Sequence, residues 1–204
     1  MSKIAIIGAS GNVGTQLVAE ALRRNYTVTA IVRDPSKLGQ RPGLELKAVD
    51  LHDEQALQSA LAGQSVVISS VRFNGLNPAA IIDPVKAAHV PRLIVVGGAA
   101  SLDVAPGKRL LDSPHFPAAY KAEATAGAAF LDTLRQEREL DWTFISPSAE
   151  FVDGERTGHF RLGHDDLLTD ANGRSWISYQ DYAIALFDEV EKPAHSRQRF
   201  TVGY

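Results

Sequence analysis

Short runs rich in valine and isoleucine recur along the chain, separated by longer stretches in which apolar side chains return every three or four positions. The runs cover residues 4–7, 27–32, 44–48, 66–71, 93–96, 142–145 and 199–202, with 44–48 the weakest. Continuous apolar runs of this length suit parallel strands that are covered on both faces. The intervening stretches predict helices over 12–23, 53–61, 79–88, 120–139 and 179–191. On the first, Val13, Leu17, Val18 and Ala21 share one face. The third contains Pro84, so it is expected to kink or to start late. The fourth ends in a solvated charge run, 135–139. Strand alternating with helix predicts an α/β fold built on a parallel sheet, and right-handed crossovers make it doubly wound. Residues 151–176 break the alternation. They are rich in Gly, Asp and Arg and are expected to form loops or short antiparallel strands on the substrate side.

Length and composition narrow this picture without changing it. At about 150 residues per domain, 204 residues point to one large domain. A chain of this size buries roughly 70% of its unfolded surface and needs no staples. Apolar residues at 45% and charged residues at 22% exclude global disorder. The net charge of −3 argues against direct binding of nucleic acid. The chain has no cysteine, which removes disulfides, thiolate nucleophiles and Cys-ligated metals. That composition fits a reducing compartment, and a cytoplasmic location is expected. Lys3 followed by residues 4–7 has the look of a signal-peptide start. The run is too short and is interrupted by Gly8 and Gly11, so it reads as a buried first strand. No apolar run approaches the 18 or so residues of a membrane span.

The strongest chemical signal is Gly8-Ala9-Ser10-Gly11-Asn12-Val13-Gly14, which directly follows the first strand and opens the first helix. In a G-x-x-G-x-x-G spacing the first glycine permits a tight turn. The second lets backbone N–H groups approach a pyrophosphate, and the third lets helix pack closely on strand. The helix N-terminus adds free N–H donors and the positive end of its dipole. A glycine-rich turn without a ligand is the bland alternative, but the strand–loop–helix context favours a dinucleotide.

The second strand ends in Arg33 and Asp34, with Lys37 nearby. An acid at that tip holds the ribose 2′-OH of NAD, whereas an arginine suits the 2′-phosphate of NADP. NADP, and NADPH over NADH, is therefore the favoured cofactor; a surface Arg–Asp pair with dual specificity is the alternative. Asp50-Leu51 ends the third strand, where a carboxylate can meet an adenine amino group or simply cap the next helix. Ser69, Ser70 and Val71 end the fourth strand, where they contact the cofactor or are merely small strand-end residues.

These features resemble the short-chain dehydrogenase/reductase superfamily in its atypical branch, within the NADH-flavin reductase group related to NmrA-like and biliverdin-reductase-B proteins. The resemblance rests on the glycine loop, Val32-Arg33-Asp34, Val95-Val96-Gly97-Gly98-Ala99, Tyr120-Lys121-Ala122-Glu123-Ala124, Trp142-Thr143-Phe144-Ile145-Ser146-Pro147 and Ile177-Ser178-Tyr179-Gln180-Asp181-Tyr182-Ala183. It implies a single NAD(P)-binding Rossmann domain with small C-terminal substrate-side insertions. It also implies a strand order 3-2-1-4-5-6-7 and a nicotinamide cofactor across the strand tips. The superfamily's usual Tyr-x-x-x-Lys is missing: Ala124 stands four residues after Tyr120, and Pro117 four before Lys121. Lys121 then bonds the nicotinamide ribose, as in NmrA-like relatives, or is a surface lysine. Tyr120 stacks on a ring or packs. Ser101 is the nearest candidate hydroxyl.

Gly97, Gly98 and Ala99 leave room for the nicotinamide, and Pro147 and Ser148 line its pocket. Phe151 or Phe73 is either a stacking platform for a planar acceptor or part of the core. His159 and His164, near Asp165 and Asp166, match no metal signature, so no metal is expected. Nor is there a nucleophile elbow. The leading function is an NAD(P)H-dependent reductase of a flavin, quinone or similar planar acceptor, in which the cofactor carries the chemistry. The alternative is a non-enzymatic NADP-binding redox sensor of NmrA-like type acting through a protein partner. Neither reading calls for a membrane, and a homodimer stays open.

Overall fold

The computed structural model describes residues 2–204. Its elements follow the hydrophobic pattern closely. Strand β1 (Lys3–Ile7) leads into helix α1 (Asn12–Arg23), β2 (Thr27–Val32), β3 (Leu44–Ala48), α2 (Glu54–Leu61), β4 (Val66–Ser69), α3 (Ala79–Ala87) and β5 (Arg92–Val96). A small hairpin, β6 (Asp103–Ala105) and β7 (Lys108–Arg109), precedes the long helix α4 (Ala118–Gln136). Then come β8 (Asp141–Pro147), β9 (Glu150–Val152), β10 (Arg161–Gly163), β11 (Trp176–Ser178), α5 (Tyr179–Glu191) and β12 (Gln198–Gly203).

Eight strands form one sheet in the order β10-β12-β8-β5-β4-β1-β2-β3. Setting aside β10, its seven parallel members run in the sequence order 3-2-1-4-5-6-7, as the resemblance implied. Both faces are covered because the strands are apolar on both. Ile4 and Ile6 of β1 face a layer containing Leu17 and Ala21 of α1 and Leu186 and Phe187 of α5. Ala5 and Ile7 face the opposite layer, with Leu57 of α2, Val85 of α3 and Leu131 and Leu134 of α4. This is a doubly wound Rossmann-like α/β fold, with β1 and β4 paired at its centre.

The differences from expectation are local. Helix α3 begins ahead of Pro84 and carries it inside, instead of starting late. Helix α4 stops at Gln136, within the charge run, because the Glu137 carboxylate accepts the amides of Glu139 (2.6 Å) and Leu140 (3.2 Å) and turns the chain out of the helix. Strand β4 ends at Ser69, two residues before the end of its apolar run. Within 151–176, β10 is antiparallel to β12 as expected. The pairing of β9 with β11 is parallel, which corrects the antiparallel expectation. A long excursion separates these two strands, and only such a connection lets two strands run the same way.

Candidate active site

Between β1 and α1 the main chain itself shapes a cradle. Gly8 has φ +80°, and a Cβ there would lie 2.4 Å from the Ser70 carbonyl oxygen. A Cβ on Gly14 would lie 2.2 Å from the Gly8 carbonyl oxygen. Neither position accepts another residue, since one requires the left-handed region and the other close backbone approach. The Gly11 amide donates to Gly8 O (3.1 Å), closing the turn. Gly11 is the N-cap of α1, and no side chain caps the helix, so its first amides remain free to donate to an anion. The cradle has the donors and the clearance that a dinucleotide pyrophosphate requires.

Two adjoining compartments open from this cradle. The inner one, about 390 Å³, is lined by Gly11, Asn12 and Val13, by Ser70, Val71 and Arg72, and by Tyr179. The outer one, about 650 Å³, is lined by Gly98, Ala99 and Ser101 after β5, by Pro147 and Ser148 at the end of β8, and by residues 113–128 in part. Phe73, Gly97, Glu123 and Phe151 line both.

The remaining sequence candidates divide by position. Ser10 is half-buried in the loop. Arg33 and Lys37 are exposed beyond β2, and Lys37 ends a short 3-10 turn over Pro35–Lys37. Asp34 starts that turn, accepting the Ser36 amide at 3.0 Å and hydroxyl at 2.6 Å. These bonds hold its carboxyl below the ordinary carboxylate value. Asp50 accepts the His52 amide (3.0 Å), whereas the cap of α2 is Asp53, bonded to the Ala56 amide at 2.9 Å. The helix-cap alternative for Asp50 is thereby corrected. Leu51 packs against the lower core. Ser69 is buried within β4 and lines neither compartment.

Gly97 is bare for a reason the sequence did not disclose: the Phe144 ring occupies the space, 2.2 Å from where its Cβ would be. Gly98 has open space beside it. Ser101 lines the outer compartment and accepts from Arg199 Nη1 (3.3 Å). Ser148 donates to Val202 O (3.2 Å). Tyr120, 67% exposed, stands at the rim. Lys121 is exposed and outside the lining. Phe73 is buried among Phe130 and Phe144 yet presents an edge to both compartments. Phe151 is half-buried, with Tyr179 and Tyr182 each 4.7 Å away by ring centroids.

Sequence reasoning missed Glu123. Its carboxylate accepts the amides of Phe73 (2.8 Å) and Asn74 (2.9 Å), so it ties α4 to the loop after β4 where the compartments meet. It sits inside a motif already singled out at 120–124, but its partner is fifty residues away and left no local signal. Tyr182 was equally silent. It is fully buried and donates to Ile145 O (2.8 Å), and burial pushes its phenol well above the ordinary value, so it serves as a proton-holding wall behind Phe151. Asp181, also fully buried, accepts the Gly158 amide (2.9 Å), the Tyr204 hydroxyl (2.7 Å) and the Thr157 hydroxyl. It therefore anchors the segment after β9. His159 and His164 are exposed.

The sequence profile of the NAD(P)H-binding family matches residues 8–193. The chain belongs to this NAD(P)H-binding family. The glycine cradle opens the matched segment, and the match runs on through α5. Among solved structures, the chain superposes on a protein from Bacteroides thetaiotaomicron described as an epimerase candidate. That match has a TM-score of 0.95 and 43% identity, and it covers 100% of this chain and 97% of the other. It also superposes on a Streptococcus pneumoniae protein described as an NADH-flavin reductase candidate, with a TM-score of 0.83, 37% identity and coverage of 100% and 99%. A more distant relative is an NAD(P)H azoreductase of Xenophilus azovorans, 25% identical over 98% of this chain and 67% of that protein. Among the described residues no helix is long and apolar enough to cross a membrane.

Proposed function

We propose that the chain acts as one nucleotide-binding domain and as an NAD(P)H-dependent reductase of a planar acceptor, a flavin or a quinone, with NADPH preferred over NADH. The observation that carries this reading is the continuity of the cleft: a phosphate-competent cradle and an apolar compartment share Phe73, Gly97, Glu123 and Phe151. The free amides at the start of α1 bind the pyrophosphate, and Arg33 with Lys37 binds the 2′-phosphate. When bound, a reduced nicotinamide supplies a hydride, and a proton from water completes the two-electron reduction of the acceptor. The residues orient and exclude water: Glu123 fixes the Phe73 loop, while Phe151 and Tyr182 close the wall behind it. No protein acid is needed at the acceptor, which accords with the missing Tyr-x-x-x-Lys and with Lys121 lying outside the lining. The names of the flavin-reductase candidate and the azoreductase point to conjugated acceptors, in keeping with this reading.

The test is oxidation of NADPH and NADH, followed by absorbance, with flavins, quinones and an azo dye. Acceptor-dependent turnover, faster with NADPH, is expected. Tight NADPH binding with no turnover on any acceptor would replace the reductase with a redox sensor.

A further inference from the structure

The outer compartment is large enough for a fused-ring molecule, yet its lining holds no lysine or arginine. Its one carboxyl group is Glu123, whose two oxygens accept the Phe73 and Asn74 amides. Apart from His115, the rest of the lining is aromatic, aliphatic or small, with Phe73, Phe116, Phe151, Tyr120 and Leu110 its largest members. Of the cations nearest in the fold, Arg199 and Arg109 are engaged elsewhere, and Lys121, next to Tyr120, is exposed and outside the lining. Arg199, buried behind Ser101, binds Asp165 through Nε (2.7 Å) and reaches Ser146 (3.4 Å). Arg109, beside Leu110, forks onto Asp112 at 2.9 and 3.1 Å. Arg72 lies in the inner compartment with Asn12 and Val13, on the cofactor's side. His115 is exposed at the rim.

We infer that the acceptor is an uncharged, largely apolar planar molecule, a quinone or a flavin without phosphate, in preference to a flavin nucleotide. This rests on the reductase reading above and narrows it. A phosphate monoester brings a charge of about −1.5 to −2. Inside this compartment it finds a carboxylate and no counter-cation, so it loses hydration without recovering it. A neutral ring system loses little on leaving water and gains apolar burial and contact with the aromatic wall.

Two measurements test this, both buffered on the alkaline side of neutrality, where a free imidazole is largely uncharged. The first titrates riboflavin and FMN against the protein saturated with NADP+ and reads flavin fluorescence, so no turnover is needed. The second compares kcat/KM for riboflavin against FMN, and for a neutral naphthoquinone against its sulfonated analogue. The neutral partner of each pair is expected to win by about tenfold or more. Ser113→Arg, which puts a cation into the lining, is expected to move the FMN-to-riboflavin ratio about tenfold toward FMN. Equal or better binding of FMN, or a ratio that Ser113→Arg leaves unmoved, overturns the inference and leaves the reductase reading standing. Tighter binding of riboflavin with no turnover on any acceptor upholds the inference about the compartment and sinks the reductase reading instead.

Discussion

At the glycine cradle the walls are main chain, with Gly8 against the Ser70 carbonyl and Gly14 against the Gly8 carbonyl. In the outer compartment the walls are largely side chains brought from four separate stretches: the loop after β4, the turn after β5, the first half of α4 with the segment before it, and the end of β8 through β9. A wall of backbone cannot move without moving the sheet, because the cradle hangs on β1 and β4 at its centre. A wall of side chains can be recut one residue at a time. On the reading proposed above, cofactor binding is fixed rigidly by the fold and acceptor choice loosely by composition.

The sharpest way to break this contrast is at the glycines. Gly8→Ala or Gly14→Ala forces a Cβ onto a carbonyl oxygen and is expected to destabilise the protein by about 3 kcal/mol or more, read by denaturant melts. Gly11→Asp separates folding from binding. A Cβ there meets only the Gly8 oxygen at an ordinary 3.4 Å, and Asp is a good N-cap in the extended conformation Gly11 already has. The variant is expected to melt at or above the wild-type temperature while NADPH affinity falls on the order of a hundredfold, since a carboxylate then occupies the anion position. Unchanged affinity would remove the cradle from the site.

At the proposed 2′-phosphate site the contrast softens, because there the proposed donor is a side chain, Arg33. Arg33→Ala is expected to weaken NADPH by about ten- to a hundredfold and leave NADH nearly unchanged, measured by calorimetric titration. Equal losses for both cofactors would mean that Arg33 only stacks on the adenine.

The smallest effect concerns the seam between α1, which starts at the cradle, and the segment after β9. Glu20 of α1 is buried and binds Arg24 (2.9 Å) and, from the segment after β9, Arg156 (2.9 Å to each carboxylate oxygen). Burial by itself would raise the Glu20 carboxyl, but these guanidiniums outweigh it and hold it below the ordinary value. The stability this contributes is complete above the ordinary glutamate range and is lost as pH falls through the lowered value. Glu20→Gln is expected to cost about 1 kcal/mol at neutral pH and to flatten the acid limb of the stability curve. An acid limb identical to wild type would show that the seam carries no charge-dependent stability.

The parallel sheet and the cradle were legible because each is encoded locally. A buried strand announces itself as an apolar run, and a phosphate loop as glycines at fixed spacing between strand and helix. The position of Arg33 was legible for the same reason, just beyond the tip of a readable strand. What could not be read is what the sheet brings together from afar. Glu123 meets the loop after β4, Phe144 fills the space beside Gly97, and Asp181 gathers Thr157, Gly158 and Tyr204. The parallel pairing of β9 with β11 was lost for want of a periodic signal in three-residue strands set far apart. Lys121 was drawn toward the site by its motif, and the first turn of α4 turns it to solvent instead.

The lining of the outer compartment comes largely from segments outside the ladder of the main sheet, so exchanging its side chains, Phe73 and Phe151 apart, leaves that ladder and most of both core layers intact. A lineage built on this frame can therefore drift from one acceptor to another through intermediates that all fold, because each step lies where substitution is thermodynamically cheap. Near-superposable chains can then part in chemistry while remaining alike in shape, and descent alone predicts the reaction poorly. For this frame, the residues worth comparing between kin are those around Ser113 and Phe116, far more than those that make the kinship visible.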